Sequence, residues 1–412
     1  MKILNISNMP IWLWGTGKGI PSIFFPQREF ARKGFAVCFL CPLKAGEKAY
    51  EVNEGVFIHR FDFPFNFKKN RYVQDNSFID RIRGSLLSNL NWLFFQVTGL
   101  IKGLEIGLKF RPDIIYAHSL TSVFPAYILS RILKSRLIIR VYGTRQLYWL
   151  WDNFWYRVKE CRDYLAFRVP ADYFIITNDG NMGNLLAKKM GVPDEKIKYW
   201  RNGIDDTFLS ADPDAKESIC RELGIASSSK IIASTCRLIP DYGVGDLLKS
   251  LVAVLNKNKD VVCIISGSGP EEDKLKEYVR ENRMEKQVFF LGIVGRDKVR
   301  QILNAADIFV LLARFHNCTN TVWEAMAAGK CIVTTETEAI KEVLANRENA
   351  VLIKRDKLDE AAQVIDELLN NARLRERLAA NVQSRAREIL ESWPKRMAKE
   401  IALLEELINR VR

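Results

Sequence analysis

Short apolar runs recur along the whole chain, each followed by a stretch whose apolar positions fall at helical spacing. In the first half the runs are "KILNIS", "FAVCFLC", "VFIHRF", "DIIYAH", "RLIIRVY", "YFIIT" and "IKYWR". The second half repeats the plan with "KIIASTC", "VVCIISG", "VFFLG", "IFVLLA", "CIVTT" and "AVLI". Nearly continuous apolar strands alternating with helices predict βα units and parallel sheets covered on both faces. Between the halves lies "NGIDDTFLSADPDAKES", a Pro- and Asp-rich passage that reads as a domain boundary. From about Asp356 onward the pattern is helical, and Pro394 in "SWPKRMAKEIALLEELINR" interrupts it. The expected fold class is therefore α/β, with two doubly wound, Rossmann-like domains facing each other across a cleft.

Two stretches of the first half depart from this grammar. Residues 66–110 mix basic groups with a long apolar pattern, in "FKKNRYV" and "RIRGSLLSNLNWLFFQVTGLIKGLEIGLKF". Tyr148–Phe167, "YWLWDNFWYRVKECRDYLAF", holds eight aromatics in twenty residues. Each reads either as a packed helix or as an interfacial surface, with Trp and Tyr at lipid headgroups and Lys and Arg on phosphate.

Charge sharpens that second reading. The net formal charge is +13, and residues 1–200 hold all of it, with 29 Lys and Arg against 16 Asp and Glu. Residues 201–412 balance at 33 against 33. The first half is expected to meet an anionic partner, a membrane surface or a phosphorylated acceptor. No nucleic-acid-binding motif is present, so no nucleic-acid partner is expected. The eight cysteines are dispersed, several inside strand-like runs (Cys38, Cys41, Cys263, Cys331), which predicts buried thiols and a reducing compartment. "CFLC" lacks the second pair that a zinc site needs. "MKILNISN" reads as a strand and not a signal peptide, and "NWLFFQVTGLI" is too short to span a bilayer. The expected location is cytoplasmic, peripheral at the inner face of the membrane.

The candidate chemistry sits in loops. "GTGKG", with Gly17 and Gly19, follows the first strand, and "ISGSGPEEDKL", with Gly267, follows a later one. Both could bring backbone amides to a phosphate, yet neither completes the dinucleotide fingerprint GxGxxG. In "ARFHNCTNTVWEAMAAGK", His316 and Glu324 stand eight residues apart. Thr321 to Glu324 fits a capping box, and Gly329 supplies a left-handed stop. The same pair reads alternatively as half of an active site. His118 ends "DIIYAH" near the expected cleft, whereas His59 reads as a strand histidine. Asp212-Pro213-Asp214 imitates a metal-binding DxD but lies in the boundary passage, where a solvated turn is expected, and no cluster with metal-ligand spacing appears.

With "KGFAVCFLCP", "NEGVFIHRF", "RPDIIYAHS", "KIKYWRNGID", "STCRLIPDYG", "ISGSGP", "VFFLGIV", "AADIFVLLARF" and "EAMAAGKCIVTT" in that order, the chain resembles the GT-B glycosyltransferases of family 4 over nearly its whole length. The resemblance implies an acceptor-binding domain over 1–205, completed by the C-terminal helix 393–412, and a nucleotide-sugar-binding domain over 206–392. It implies retaining, metal-independent transfer from a nucleotide-sugar, which is a co-substrate, so no cofactor is expected. The acceptor would be a glycan or a lipid-linked molecule. Glu324 matches the second Glu of the family's E-x7-E signature, which holds the ribose hydroxyls. Arg237 matches the Arg that neutralises the diphosphate. Gly17 and Gly19 match the glycine loop that closes over it, and the amides of Thr319, Asn320 and Thr321 could hold the same group. Three positions depart from the family pattern: His316 replaces the first Glu, Tyr242 a diphosphate-binding Lys, and Tyr142 in "RVYGT" a His. Each substitute still forms hydrogen bonds, but none supplies the same charge. Two other readings keep the fold: a nucleotide-sugar epimerase, or a catalytically impaired sugar-nucleotide-binding scaffold.

Overall fold

The structure, a computed structural model, describes residues 1–9, 21–43, 46–64, 78–144, 147–314 and 318–410. The chain divides into two compact units, one formed by Met1–Asn202 with Trp393–Arg412, the other by Gly203–Ser392.

The first unit carries an eight-stranded sheet. Its strands are β1 (Lys2–Ser7), β2 (Ala36–Pro42), β3 (Tyr50–Asn53), β4 (Val56–Phe61), β5 (Ile114–His118), β6 (Arg136–Val141), β7 (Tyr173–Thr177) and β8 (Ile197–Trp200). The spatial order is β3-β4-β2-β1-β5-β6-β7-β8. All pairings are parallel except β3 with β4, an antiparallel edge ribbon. The central strands are buried along almost their whole length, as their unbroken apolar character requires. The order reverses between β1 and β5, so the loops leaving those two strands diverge and open a crevice at their carboxyl ends.

The helix Trp393–Asn409 returns to this unit. Trp393, Met397, Leu404 and Leu407 lie on one face at helical spacing and are buried against the same core as Phe25 and Phe30. Trp393 stacks on Phe25 with ring centroids 5.4 Å apart. Beneath this helix lies a buried charged network. Glu400 accepts from Tyr116 Oη at 2.5 Å, Arg396 Nη2 at 2.9 Å and Arg140 Nη1 at 3.3 Å. Burial alone would push the Glu400 carboxyl up, but Arg396 and Arg140 outweigh it and hold it below the ordinary value. Removing Glu400 would leave two buried guanidiniums without their carboxylate, a loss of about 3–5 kcal/mol.

The second unit carries a six-stranded, wholly parallel sheet of β9 (Lys230–Thr235), β10 (Val261–Ser266), β11 (Val288–Phe290), β12 (Ile308–Leu311), β13 (Cys331–Thr335) and β14 (Val351–Ile353). Its order is β11-β10-β9-β12-β13-β14, the doubly wound arrangement, with the reversal between β9 and β12. The two ends of this unit meet where Ile204 N donates to Glu391 O at 2.8 Å. Three structural details differ from expectation. The ribbon strand β3 was not expected, because "YEVN" is half exposed and lacks an apolar run. The aromatic stretch is three short helices, Leu147–Leu150, Phe154–Lys159 and Cys161–Phe167, where a single packed helix was one reading. Asp212 is ion-paired with Arg300 at 3.3 Å rather than merely solvated.

Candidate active site

In the second unit the loops leaving β9 and β12 flank the reversal point, where a doubly wound sheet receives its ligand. Arg237 stands two residues beyond β9, exposed, with its guanidinium 5.4 Å from the centre of the Tyr242 ring. Tyr242 closes a short 3-10 turn, Pro240–Tyr242, and Gly243 follows at φ +68° before the helix Val244–Lys257 begins. A Cβ at Gly243 would strike the Leu312 carbonyl, so the turn can lie directly on the start of the β12 loop. Tyr242 therefore occupies the expected lysine position as an aromatic shelf for Arg237, an orienting contact without a second positive charge.

Gly267 plays a different part from the one its motif announces. Its φ is +137°, and a Cβ would collide with the Cys236 carbonyl. Its amide donates to Gly292 O at 2.8 Å. The glycine lets the β10 loop lie against the backbone beside Arg237, and its own N–H is spent on the loop after β11. Cys236, next to Arg237, is a buried thiol pushed up to about 12 by burial, and so is inert.

The β12 loop leads to the helix Asn320–Ala327, where the local reading requires correction. The N-cap is Thr319, and its side chain makes no capping bond. Its hydroxyl instead lies 2.9 Å from the Thr321 hydroxyl. The amides of Asn320 and Thr321 precede the first intrahelical bond, Val322 N to Thr319 O at 3.0 Å. The capping box Thr321–Glu324 does not form, because the helix starts earlier and Glu324 falls in its second turn. Glu324 is buried and accepts from Arg296 Nη1 at 3.0 Å. Burial raises the Glu324 carboxyl above its ordinary value, and Arg296 opposes the rise. Arg296 also lies 3.7 Å from Asp205, and its guanidinium stands over the Phe208 ring at 4.9 Å. Arg296 opens its own helix after β11, in no motif, and only its place in space marks it. Gly329, at φ +62°, does supply the left-handed stop.

In the first unit, His118 ends β5 and Tyr142 follows directly on the adjacent strand β6. Asn5 Nδ2 donates to Cys38 O at 3.1 Å, which turns Asn5 Oδ1 toward His118 Nε2 at 2.9 Å. His118 must then donate from Nε2 and accept at Nδ1 from the Tyr142 hydroxyl, 2.5 Å away. Burial, assisted by Arg140, lowers the His118 imidazole to about 3, so it is neutral. His118 is fully enclosed, and the Tyr142 it contacts is half-buried. Asn5 was not singled out from sequence, since an Asn inside a strand carries no motif. Ser119, at φ +72°, donates from Oγ to Asn8 Oδ1 at 2.6 Å and joins the β1 and β5 loops.

His59 lies half-buried in β4 with its ring 4.8 Å from that of Tyr50. Seven of the eight cysteines are buried and none is in a disulfide. Among the described residues no group of three or more His, Cys, Asp or Glu could hold a metal ion. Gly17, Gly19 and His316 lie outside the described residues.

Family models match both parts of the chain: Glycosyltransferase Family 4 over residues 27–208 and Glycosyl transferases group 1 over residues 215–385. The chain belongs to the group 1 glycosyltransferases of family 4. This family-4 chain is 20% identical over 284 residues to the alpha-D-kanosaminyltransferase of Streptomyces kanamyceticus, covering 67% of this chain and 72% of that one. Its fold is that of Anabaena HepE in complex with UDP-glucose, with a TM-score of 0.69 at 16% identity, covering 98% and 99% of the two chains. It is also that of the sucrose-phosphate synthase from Thermosynechococcus elongatus, with a TM-score of 0.74 at 13% identity over the whole of both chains. The fold is GT-B.

Proposed function

We propose that this glycosyltransferase moves a sugar from a nucleotide-sugar, with retention of configuration, to a glycan or lipid-linked acceptor at a membrane surface. The observation that carries the reading is the arrangement at the β9/β12 reversal: an exposed Arg237 on its aromatic shelf, a helix N-terminus at Thr319–Thr321, and a buried carboxylate at Glu324. These suit the three parts of a nucleoside diphosphate donor. The guanidinium fork engages two phosphate oxygens at once. The helix N-terminus favours the same anion. A carboxylate accepts from paired ribose hydroxyls. Negative charge develops on the diphosphate as the glycosidic bond breaks, and fixed donors aimed at it lower the barrier. Gly17, Gly19 and His316 would complete this donor site, by the family pattern.

The first unit would bind the acceptor, with Tyr142, held by the neutral His118, as its candidate polar contact. We propose no metal and no cofactor, since Arg237 and the helix amides meet the electrostatic need. The supporting signs for a membrane location are the basic first half and the exposed aromatics of Phe154–Lys159. No described helix is long and apolar enough to cross a membrane.

The test is incubation with a panel of uridine, guanosine and adenosine diphosphate sugars, read by NMR for released diphosphate and for the anomer first formed. Release with the donor's anomeric configuration kept supports the proposal. An inverted first product contradicts retention, and a C2- or C4-epimerised nucleotide-sugar selects the epimerase reading. Binding without turnover of any donor, with acceptor lipids present, selects the scaffold.

A further inference from the structure

Exposed apolar side chains are unevenly spread over this molecule. Among the described residues, 16 of the 17 exposed large hydrophobic side chains belong to the first unit, and Ile293 alone to the second. The first unit also holds 35 Lys and Arg against 19 Asp and Glu, while the second holds 27 against 30. Single exposed apolar residues need no explanation, but an ordered row does.

The row is on the helix Phe78–Phe110. Leu86, Leu93, Val97, Ile101 and Leu108 are each at least half exposed. They follow one another at intervals of seven, four, four and seven residues. At 100° per residue they fall within a sector of roughly 80°, a ridge about 33 Å long. The opposite side of the helix is committed to the protein. Phe95 is buried in the core, and Gly103 and Gly107 let the helix lie close against Leu129 of the helix Val123–Ile132 and Leu133 at its end.

A second apolar element adjoins the ridge. The helix Phe154–Lys159 buries none of its residues and leaves Trp155 77% exposed, with Arg157 and Lys159 in its last turn. The next helix is tied to the ridge helix through Arg162. Its guanidinium lies 4.3 Å from the centre of the Trp92 ring, and Nη2 donates to Asn89 Oδ1 at 2.5 Å. The exposed aromatic turn ends three residues before Arg162, the side chain that grips the amino-terminal half of the ridge helix.

We propose that the ridge and the Phe154–Lys159 helix form the face by which this protein lies on an anionic lipid bilayer, a proposal that rests on the membrane-surface reading above. Charge selects this occupant over a second copy of the chain. Ridge-to-ridge pairing would bring two strongly basic units together, whereas an anionic surface attracts every Lys and Arg within a Debye length. A helix with its apolar stripe outward and its other side held by protein lies in the interfacial plane. Trp155 beside Arg157 and Lys159 is the aromatic-basic pairing that suits headgroup depth.

The experiment is flotation of the full chain with phosphatidylcholine vesicles, with and without phosphatidylglycerol. It compares wild type, Leu93→Glu, Ile101→Glu, Trp155→Ala and the second-unit control Ile293→Glu. Sedimentation velocity runs in parallel, and a melting curve establishes folding of each variant. Wild type and the control should float with the anionic vesicles only, and more weakly at high salt. Leu93→Glu, Ile101→Glu and Trp155→Ala each remove an apolar side chain from the lipid contact, which should lower partitioning about tenfold. Wild type that fails to float overturns the membrane reading and this face with it. Wild type and ridge variants that float equally overturn the face alone. A dimer that Leu93→Glu dissociates, with flotation unchanged, assigns the ridge to a second copy and overturns the proposal.

Discussion

Arg296 and Glu324, 28 residues apart in sequence, form a largely buried ion pair at 3.0 Å inside the second unit. The pair places a carboxylate where burial alone would favour its protonated form, with Arg296 as the opposing charge. A Glu in a capping box would accept from the N-cap amide of its own helix. This one is held by an arginine from another helix.

A pH dependence follows, and its sign is fixed by that pair. Ribose hydroxyls donate to an ionised carboxylate, so nucleotide affinity should fall as pH drops through the raised value of Glu324. In Arg296→Met the opposing charge is gone, and the fall should begin at a higher pH. Calorimetric titration of a nucleoside diphosphate across pH, in both proteins, reads this directly. Superimposable profiles would mean that Arg296 only supports the fold.

Arg237 is expected to act through phosphate. Arg237→Lys keeps the charge and loses both the fork and much of the stacking on Tyr242. Affinity for a nucleoside diphosphate should fall roughly tenfold, the value of about one charged hydrogen bond. Affinity for the corresponding nucleoside should stay the same. An equal loss for both ligands would place Arg237 outside the phosphate site.

His118 should leave its mark in acid. Its imidazole is neutral in the folded protein down to about 3, against 6.5 for the free side chain. The folded state therefore binds fewer protons than the unfolded chain between those values. The stability it contributes is complete above 6.5 and is lost as pH falls toward 3, by about 1.4 kcal/mol per pH unit. Denaturant unfolding across that range should show one fewer proton taken up for His118→Gln than for wild type. Identical slopes would show that His118 is not buried as a neutral group.

The parallel strands were readable because each is buried on both faces and so is apolar throughout; β9 to β14 all lie where the apolar runs stand. The edge strand β3 was not, since its residues alternate between half-buried and exposed and half of them are polar. The error at Thr321–Glu324 has the same root. A capping box is a local pattern, and it was outweighed by a partner arriving from another helix. Asn5 with His118, and Arg140 with Glu400, are likewise pairs separated by more than a hundred residues, made by strand order and by the return of the last helix. Glu324 was legible from its own stretch only as one of two readings, and Arg237 only through family resemblance; their places at one sheet reversal came from the topology.

Turnover should persist in EDTA. On the proposed reading, Arg237 and the amides at Thr319–Thr321 would supply donors for the diphosphate without a cation. An activity abolished by chelation and restored by magnesium or manganese would contradict the metal-independent proposal.

The central claim is that Glu324 holds the ribose of a nucleotide donor, and one comparison tests it most directly. Calorimetry would measure the tightest binder among uridine, guanosine and adenosine diphosphates, and its 2′,3′-dideoxy analogue, against wild type and Glu324→Gln. Gln retains an acceptor for Arg296 but loses the charge-assisted bonds to ribose, worth about 1.5–3 kcal/mol. The account predicts a loss of roughly 10- to 150-fold for the ribonucleotide and none for the dideoxy analogue. Equal affinities of the two proteins for the ribonucleotide, or an equal loss for both ligands, would contradict it.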